Sequence, residues 1–202
     1  MAFSFFFRDL PTLDTAVQHM VAQTMGRSRI RVWVAGSAKG QEVYTLAMLL
    51  AEKMGYFSFQ NLRIEATDIE AEFGEIIRRG IYPKAELERI PQPYFDRYFQ
   101  PTEQEGCFQV IEPIRRRVTF THHDLLSLNP IGDGFSLIVC KNVLLHFQPA
   151  ERVEVFKMFH RSLATDSILA NEHTQKLPAE VVPLFQQVAS DAQVYRKVSL
   201  HA

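Results

Sequence analysis

The sequence predicts an α/β protein built on a doubly wound, mostly parallel sheet, and three observations carry that expectation. Short apolar runs rich in β-branched residues alternate with segments of helical spacing, the order expected of strands and crossover helices. Several of these runs are dominated by apolar residues, as strands covered on both faces are. The chain has 202 residues, 47% of them apolar, which suffices for the core that such a sheet needs.

Taken in order, residues 12–25 have helix-forming composition, capped by Asp14 or Thr12 and stopped by Gly26. Ile30–Ala35 (IRVWVA) is the first buried strand. Val43, Leu46, Ala47, Leu50 and Met54 then recur at helical spacing until Gly55. Residues 62–69 return to strand character and 70–79 to helix. After Gly80 a proline-punctuated stretch is helical in patches over 85–99, and a hairpin follows around Glu105-Gly106. Residues 118–120 and Phe135–Cys140 are two more buried strands. A helix at 150–163, a strand at 167–171, a short helix at 182–189 and a strand at 194–198 complete the order.

In open α/β sheets ligands bind beyond the carboxyl ends of the strands, so the residues there form the candidate site. The first strand runs into Gly36-Ser37-Ala38-Lys39-Gly40-Gln41-Glu42 and then a helix. A glycine lets a ligand approach the backbone, and a helix start offers unpaired N–H groups. This loop is neither GxGxxG nor a P-loop, and alone it reads equally as a tight turn or a ligand loop. The second strand ends in Ala66-Thr67-Asp68-Ile69-Glu70, where an acid can accept hydrogen bonds from both hydroxyls of a ribose, or else cap the following helix. The third ends in His122-His123-Asp124 and the fourth in Cys140-Lys141-Asn142. Polar groups at four successive strand ends point to a nucleoside-type ligand.

Other classes fit less well. A net charge of −1 supplies no field favouring DNA or an acidic membrane, and Arg115-Arg116-Arg117 reads as a solvated edge or local anion contact, so no nucleic-acid partner is expected. His122 and His123 would point to opposite faces of a strand, and His146, His160 and His173 lack ligand spacing, so no metal site is expected. Cys107 and Cys140 fit no CxxC motif. Cys140 reads as a small buried hydrophobe, and a reducing, cytoplasmic compartment follows. The greasy start, FSFFFRDL at 3–10, has no basic residue before it and is too short for a signal sequence; it is expected to remain in the mature chain. No later stretch is apolar enough for direct membrane insertion.

Seven segments in order resemble the CheR-type chemotaxis receptor methyltransferases: Phe6-Phe7-Arg8-Asp9, Val32-Trp33-Val34-Ala35-Gly36, Gly40-Gln41-Glu42-Val43-Tyr44, Ala66-Thr67-Asp68-Ile69, Arg79-Gly80-Ile81-Tyr82, Arg97-Tyr98-Phe99 and Cys140-Lys141-Asn142-Val143-Leu144. That family transfers a methyl group from S-adenosyl-L-methionine to glutamate side chains of chemoreceptors, releasing S-adenosyl-L-homocysteine. The resemblance implies a class I, Rossmann-like methyltransferase domain over 1–202 with a small β-subdomain inserted at 100–117. It implies a chemoreceptor-like protein substrate in a signalling system. It further implies that Gly36 lies under the cofactor, Glu42 meets its amino acid end, Asp68 holds the ribose, Asp124 and Leu125 flank the adenine, and Asn142 and Val143 line the methionine portion. Ser4 and Arg8 join these contacts, and Arg8 and His146 belong to the catalytic centre.

The chain departs from the family pattern at several positions. Ala2 replaces a polar contact, Lys39 enters the loop, and His146 stands where a tyrosine is common. A helical domain that usually precedes this one is not in the sequence, and the stretch 100–110 is short, so docking through a receptor's C-terminal tethering peptide is not expected. A second reading stays open, a degenerate relative that binds the cofactor or a partner without transferring methyl groups.

Overall fold

In the computed structural model, which describes residues 4–199 apart from 173 and 175, strand β1 (Ile30–Ala35) serves two cores at once. Ile30, Val32 and Val34 pack with helices α1 (Leu10–Thr24) and α2 (Gln41–Met54) on one face, while Trp33 and Ala35 enter a second cluster on the other. This is the two-residue period of a strand with both faces buried, and it is why IRVWVA is apolar at every position but the half-buried Arg31. Helix α1 starts earlier than its composition suggests. Asp9 precedes it in a left-handed conformation, and Pro11 sits in the first turn, where a missing N–H costs no hydrogen bond. Thr12 is not the cap; its hydroxyl donates to Asp9 Oδ1 at 2.9 Å.

A short helix α3 (Tyr56–Gln60), which the sequence reading did not include, leads into β2 (Leu62–Asp68) and α4 (Phe73–Arg79). Then comes a satellite unit: β3 (Ile81–Pro83), α5 (Lys84–Leu87), α6 (Gln92–Tyr98), β4 (Phe99–Pro101) and β5 (Cys107–Val110). Its three strands form an antiparallel sheet of order β3-β5-β4. The hairpin at Glu105-Gly106 joins β4 to β5, whereas β3 lies ahead of the 100–117 segment. Helix α7 (Glu112–Arg115), β6 (Val118–His122), β7 (Phe135–Cys140), α8 (Pro149–Ser162), β8 (Leu163–Asn171), β9 (Phe185–Gln187) and β10 (Val194–Lys197) follow.

The main sheet has the order β6-β2-β1-β7-β8-β10-β9. Its first five strands are parallel, and β10 runs antiparallel to both β8 and β9. This is the α/β, class I methyltransferase arrangement. The chain moves outward from β1 to β2 to β6 and then returns to β7, so the switch point lies between β1 and β7. Val155, Phe156, Met158 and Phe159 of α8 fill the core beneath Trp33.

One expectation is overturned in part. Residues 182–189 do not form a helix: a single 3-10 turn at Val182–Leu184 gives way to β9, whose Phe185, Gln186 and Gln187 pair with Lys197, Arg196 and Tyr195. Pro183 lies inside that turn, and ladder bonds to a strand further along the chain outweigh the local helical preference. Among the described residues no helix is long and apolar enough to cross a membrane.

Candidate functional site

The switch point is lined by backbone. Gly36 leaves β1 with φ +80°, and a Cβ added there would lie 2.1 Å from Val143 Cγ2. The space is taken by the residue that follows Asn142 at the end of β7, so glycine is required for both conformation and room. The Gly36 and Ser37 N–H groups both donate to the Thr67 carbonyl, at 2.8 and 2.9 Å, and Gly40 N–H donates to Ser37 O at 3.0 Å. Tyr82 of β3 donates its hydroxyl to Lys39 O at 2.7 Å, which ties the loop to the small sheet. The Lys39 side chain itself is exposed.

At the ends of β2 and β6 the carboxylates are partly used by the protein. Asp68 Oδ2 accepts the Ala38 N–H at 2.8 Å and Oδ1 accepts the Glu70 N–H at 3.1 Å. Asp68 therefore fastens the loop after β1 and shapes its own strand end, without capping α4. Asp124 Oδ1 accepts the Leu126 N–H at 2.8 Å and opens a 3-10 turn, Leu125–Ser127, in which Leu125 is buried. His123 packs 5.8 Å from the Trp33 ring, and burial lowers its pKa below the usual 6.5.

The other end of the crevice is charged and buried. Phe6 is fully buried, edge-on to Tyr82 at 5.0 Å and to Phe99 at 5.7 Å. Phe7, with φ 59°, donates its N–H to Thr45 Oγ1 on α2 at 3.0 Å. These two anchors turn the chain so that Arg8 and Asp9 meet the end of β7. There the Lys141 ammonium, with a side chain only 1% exposed, lies 3.2 Å from Asp9 Oδ2 and 3.1 Å from Glu42 Oε2, and it donates to the Arg8 carbonyl at 3.4 Å. One cation thus joins the N-terminal turn, α2 and β7.

Beside it, Asn142 has φ 58° and donates its N–H to Glu172 Oε2, just beyond β8. Glu172 is almost fully buried. Burial pushes its pKa up from 4.5, while the Asn142 amide and the charges of Arg152, His146 and Arg8 pull it back in part.

The structure therefore brings Arg8, Gly36, Glu42, Asn142 and Val143 together around the β1–β7 switch point, with Asp68, Asp124 and Leu125 along the neighbouring strand ends. Ser4 is half-buried in the segment before the Phe6 anchor, and His146 is exposed at the close of a 3-10 turn, Leu144–His146. Ala2 and His173 lie outside the described residues. Among those described, no three His, Cys, Asp or Glu side chains are placed to hold a metal ion. The expectation missed Glu172 and the part played by Lys141. Glu172 is the polar end of a fifth apolar strand, so the rule that singled out the other four reaches it too.

The arrangement suits a nucleoside carrying a cationic amino acid chain. Ser37 Oγ and Glu172 Oε1 are buried without hydrogen-bond partners among the described residues, and Gly36 keeps the crevice floor free of a side chain.

A family model described as CheR methyltransferase, SAM binding domain, matches residues 2–194. The protein named "Probable chemotaxis protein methyltransferase" of Rhizobium etli is 26% identical over 192 residues, covering 92% of this chain and 72% of that protein. A chemotaxis protein methyltransferase of Borreliella burgdorferi is 33% identical over 152 residues, covering 74% of this chain and 53% of the relative. The chain thus spans about half the length of that second relative. Among solved structures, magnesium protoporphyrin IX methyltransferase from Synechocystis with bound SAH is similar at a TM-score of 0.41 and 16% identity, over 79% of this chain and 56% of that one.

Proposed function

The chain belongs to the CheR methyltransferase family, and from that premise we propose that it is an S-adenosylmethionine-dependent protein-glutamate O-methyltransferase acting on a chemoreceptor-like protein. The observation that carries the proposal is the Arg8 turn, pinned by Phe6 and Phe7 and tied through Lys141 to Glu42 beside the Gly36–Val143 crevice. S-adenosylmethionine, when bound, supplies the methyl group and leaves as S-adenosylhomocysteine. Gly36, Ser37 and Val143 would form the floor and wall under it, and Asp68, Asp124 and Leu125 would hold the adenosine end. Asn142, Glu42 and Ser4 would meet the amino acid end.

A glutamate carboxylate is ionised at neutral pH, so the site needs no general base. What the protein contributes is alignment and exclusion of water, and positioning of this kind offsets on the order of 7–11 kcal/mol of barrier. The Arg8 guanidinium can present paired N–H donors to the incoming carboxylate. The strands of the small sheet are three or four residues long, which supports docking of the protein substrate without a C-terminal tethering peptide, and the free thiols of Cys107 and Cys140 support a reducing, cytoplasmic setting.

Incubation with radiolabelled S-adenosylmethionine and chemoreceptor-bearing membranes tests this, with base-labile methanol as the readout. Transfer is expected, and Arg8→Ala should lower it by about 100-fold or more while leaving most S-adenosylhomocysteine affinity, because its role is met in the reaction rather than in binding. The exposure of His146 favours a second reading, binding without transfer. Calorimetric binding of S-adenosylhomocysteine with no label on any receptor would establish that reading instead.

A further inference from the structure

Glu172 follows β8 directly, and the pairing of Cys140 with Asn171 sets it beside the turn that leaves β7. It is 2% exposed, a costly place for a carboxylate. One oxygen, Oε2, accepts the Asn142 N–H, and the other has no hydrogen-bond partner among the described residues. Asn142 itself is left-handed, a conformation glycine adopts freely and asparagine tolerates better than most residues. The next residue, Val143, carries the methyl group that fills the space over Gly36. Two guanidinium groups and an imidazole act on the carboxylate from different elements: Arg8 from the N-terminal turn, Arg152 from α8 and His146 from the 3-10 turn. They offset part of the burial that pushes its pKa up, and a charged acceptor binds an amide about twice as strongly as a neutral one.

We propose that Glu172 is a positioning residue: its carboxylate grips the Asn142 amide, holds the left-handed turn after β7, and so sets how closely the Val143 wall stands over Gly36. The inference rests on the cofactor reading above, but its first test does not.

That first test is hydrogen exchange of the Asn142 amide, with the amides of Val34 and Val139 as internal controls for the core. Protection should fall in a graded way, by about threefold in Glu172→Gln, which keeps a neutral acceptor, and by about tenfold or more in Glu172→Ala, which keeps none. The second test is calorimetric affinity for S-adenosylhomocysteine in the wild type, Glu172→Ala, Asn142→Gly and the double variant. Glycine at 142 takes the left-handed conformation unaided. Glu172→Ala should therefore cost about tenfold in the wild-type background and less than about threefold in the Asn142→Gly background.

Equal losses in the two backgrounds would show that Glu172 does not act through residue 142 and would overturn the inference. Unchanged Asn142 protection in Glu172→Gln and Glu172→Ala would also overturn it, and the glutamine variant suffices if the alanine variant fails to fold. A wild-type chain with no affinity for S-adenosylhomocysteine would defeat the cofactor reading, and amide exchange would then decide the role of Glu172 alone.

Discussion

Where β2 and β6 end, the crevice is open: Asp68 is half-buried and accepts the Ala38 and Glu70 N–H groups, and Asp124 is exposed and accepts that of Leu126. Where β1, β7 and β8 end, it is closed and charged: Lys141 is buried between Asp9 and Glu42, and Glu172 is buried against Asn142. The open end is shaped by single hydrogen bonds that carboxylates accept from backbone N–H groups, so a lost side chain there costs about one or two hydrogen bonds. The closed end is held by groups from the N-terminal turn, α2, β7 and β8, and each buried charge removed strands another. The proposed transfer site therefore sits where the architecture tolerates least change, and the proposed adenosine site where it tolerates more.

The floor between the two ends should respond most. In Gly36→Ala the new methyl meets Val143 Cγ2 at a built distance of 2.1 Å, in a backbone conformation at φ +80° that L-residues resist. The two effects together should remove about 2–5 kcal/mol of stability, measured by urea unfolding. Trimming the wall with Val143→Ala in the same chain should restore part of it. A Gly36→Ala variant as stable as the wild type would mean that the floor is not closed and that the two ends are not separated in this way.

Next comes the cation at the closed end. Lys141→Met leaves Asp9 and Glu42 facing each other without the ammonium that lies 3.2 and 3.1 Å from them. Breaking a fully buried pair costs about 3–5 kcal/mol, and since the Asp9 side chain is 26% exposed, water screens part of that. A loss of about 2–3 kcal/mol in urea unfolding is expected. A loss below about 0.5 kcal/mol, the range of ordinary surface changes, would erase the contrast between the ends.

The same contrast governs what the sequence made legible. β1 and β7 are readable to the residue because a run that is apolar but for Arg31 or Ser136, set between polar ends, has few other uses in a chain of this kind. Gly36, Asp68 and Asn142 are readable because a strand-end rule needs only local sequence. The pairing of Lys141 with Asp9 and Glu42 is not, since its partners lie far apart along the chain and only the switch point brings them together. The strand β9 escapes for the same reason: its partner, β10, decides its conformation. β3 is three residues long and ends in Pro83, too short for any period to show. Local chemistry thus marks the open end, and long-range pairing builds the closed one.

At the open end, Asp68→Asn should cost less than either change above. Asparagine keeps one oxygen acceptor where the carboxylate serves two amides, those of Ala38 and Glu70. About 1 kcal/mol of stability should go with the lost bond. S-adenosylhomocysteine affinity should fall by roughly fivefold as the loop after β1 loosens, a loss of similar size. Calorimetry checks the second figure, and an affinity loss of about 100-fold or more would mean that the carboxylate grips the ligand far more strongly than a half-buried group with two internal bonds should.

The smallest effect should come from Lys39→Ala, although the lysine stands in the cofactor loop and carries the same sign as a sulfonium. Its side chain is exposed, and its backbone carbonyl accepts the Tyr82 hydroxyl at 2.7 Å. Alanine leaves that carbonyl in place, so stability should change by no more than about 0.5 kcal/mol. The remaining influence is a solvent-borne charge, screened at physiological salt over about 8 Å. Affinity for S-adenosylmethionine should therefore stay within about twofold at that ionic strength, and rise slightly as salt is lowered and the repulsion that alanine removes grows. If affinity instead rose about fivefold or more and kept that gain in high salt, the ammonium would have to lie inside the crevice, within reach of the ligand's own charge, and the loop after β1 would belong with the closed end rather than the open one.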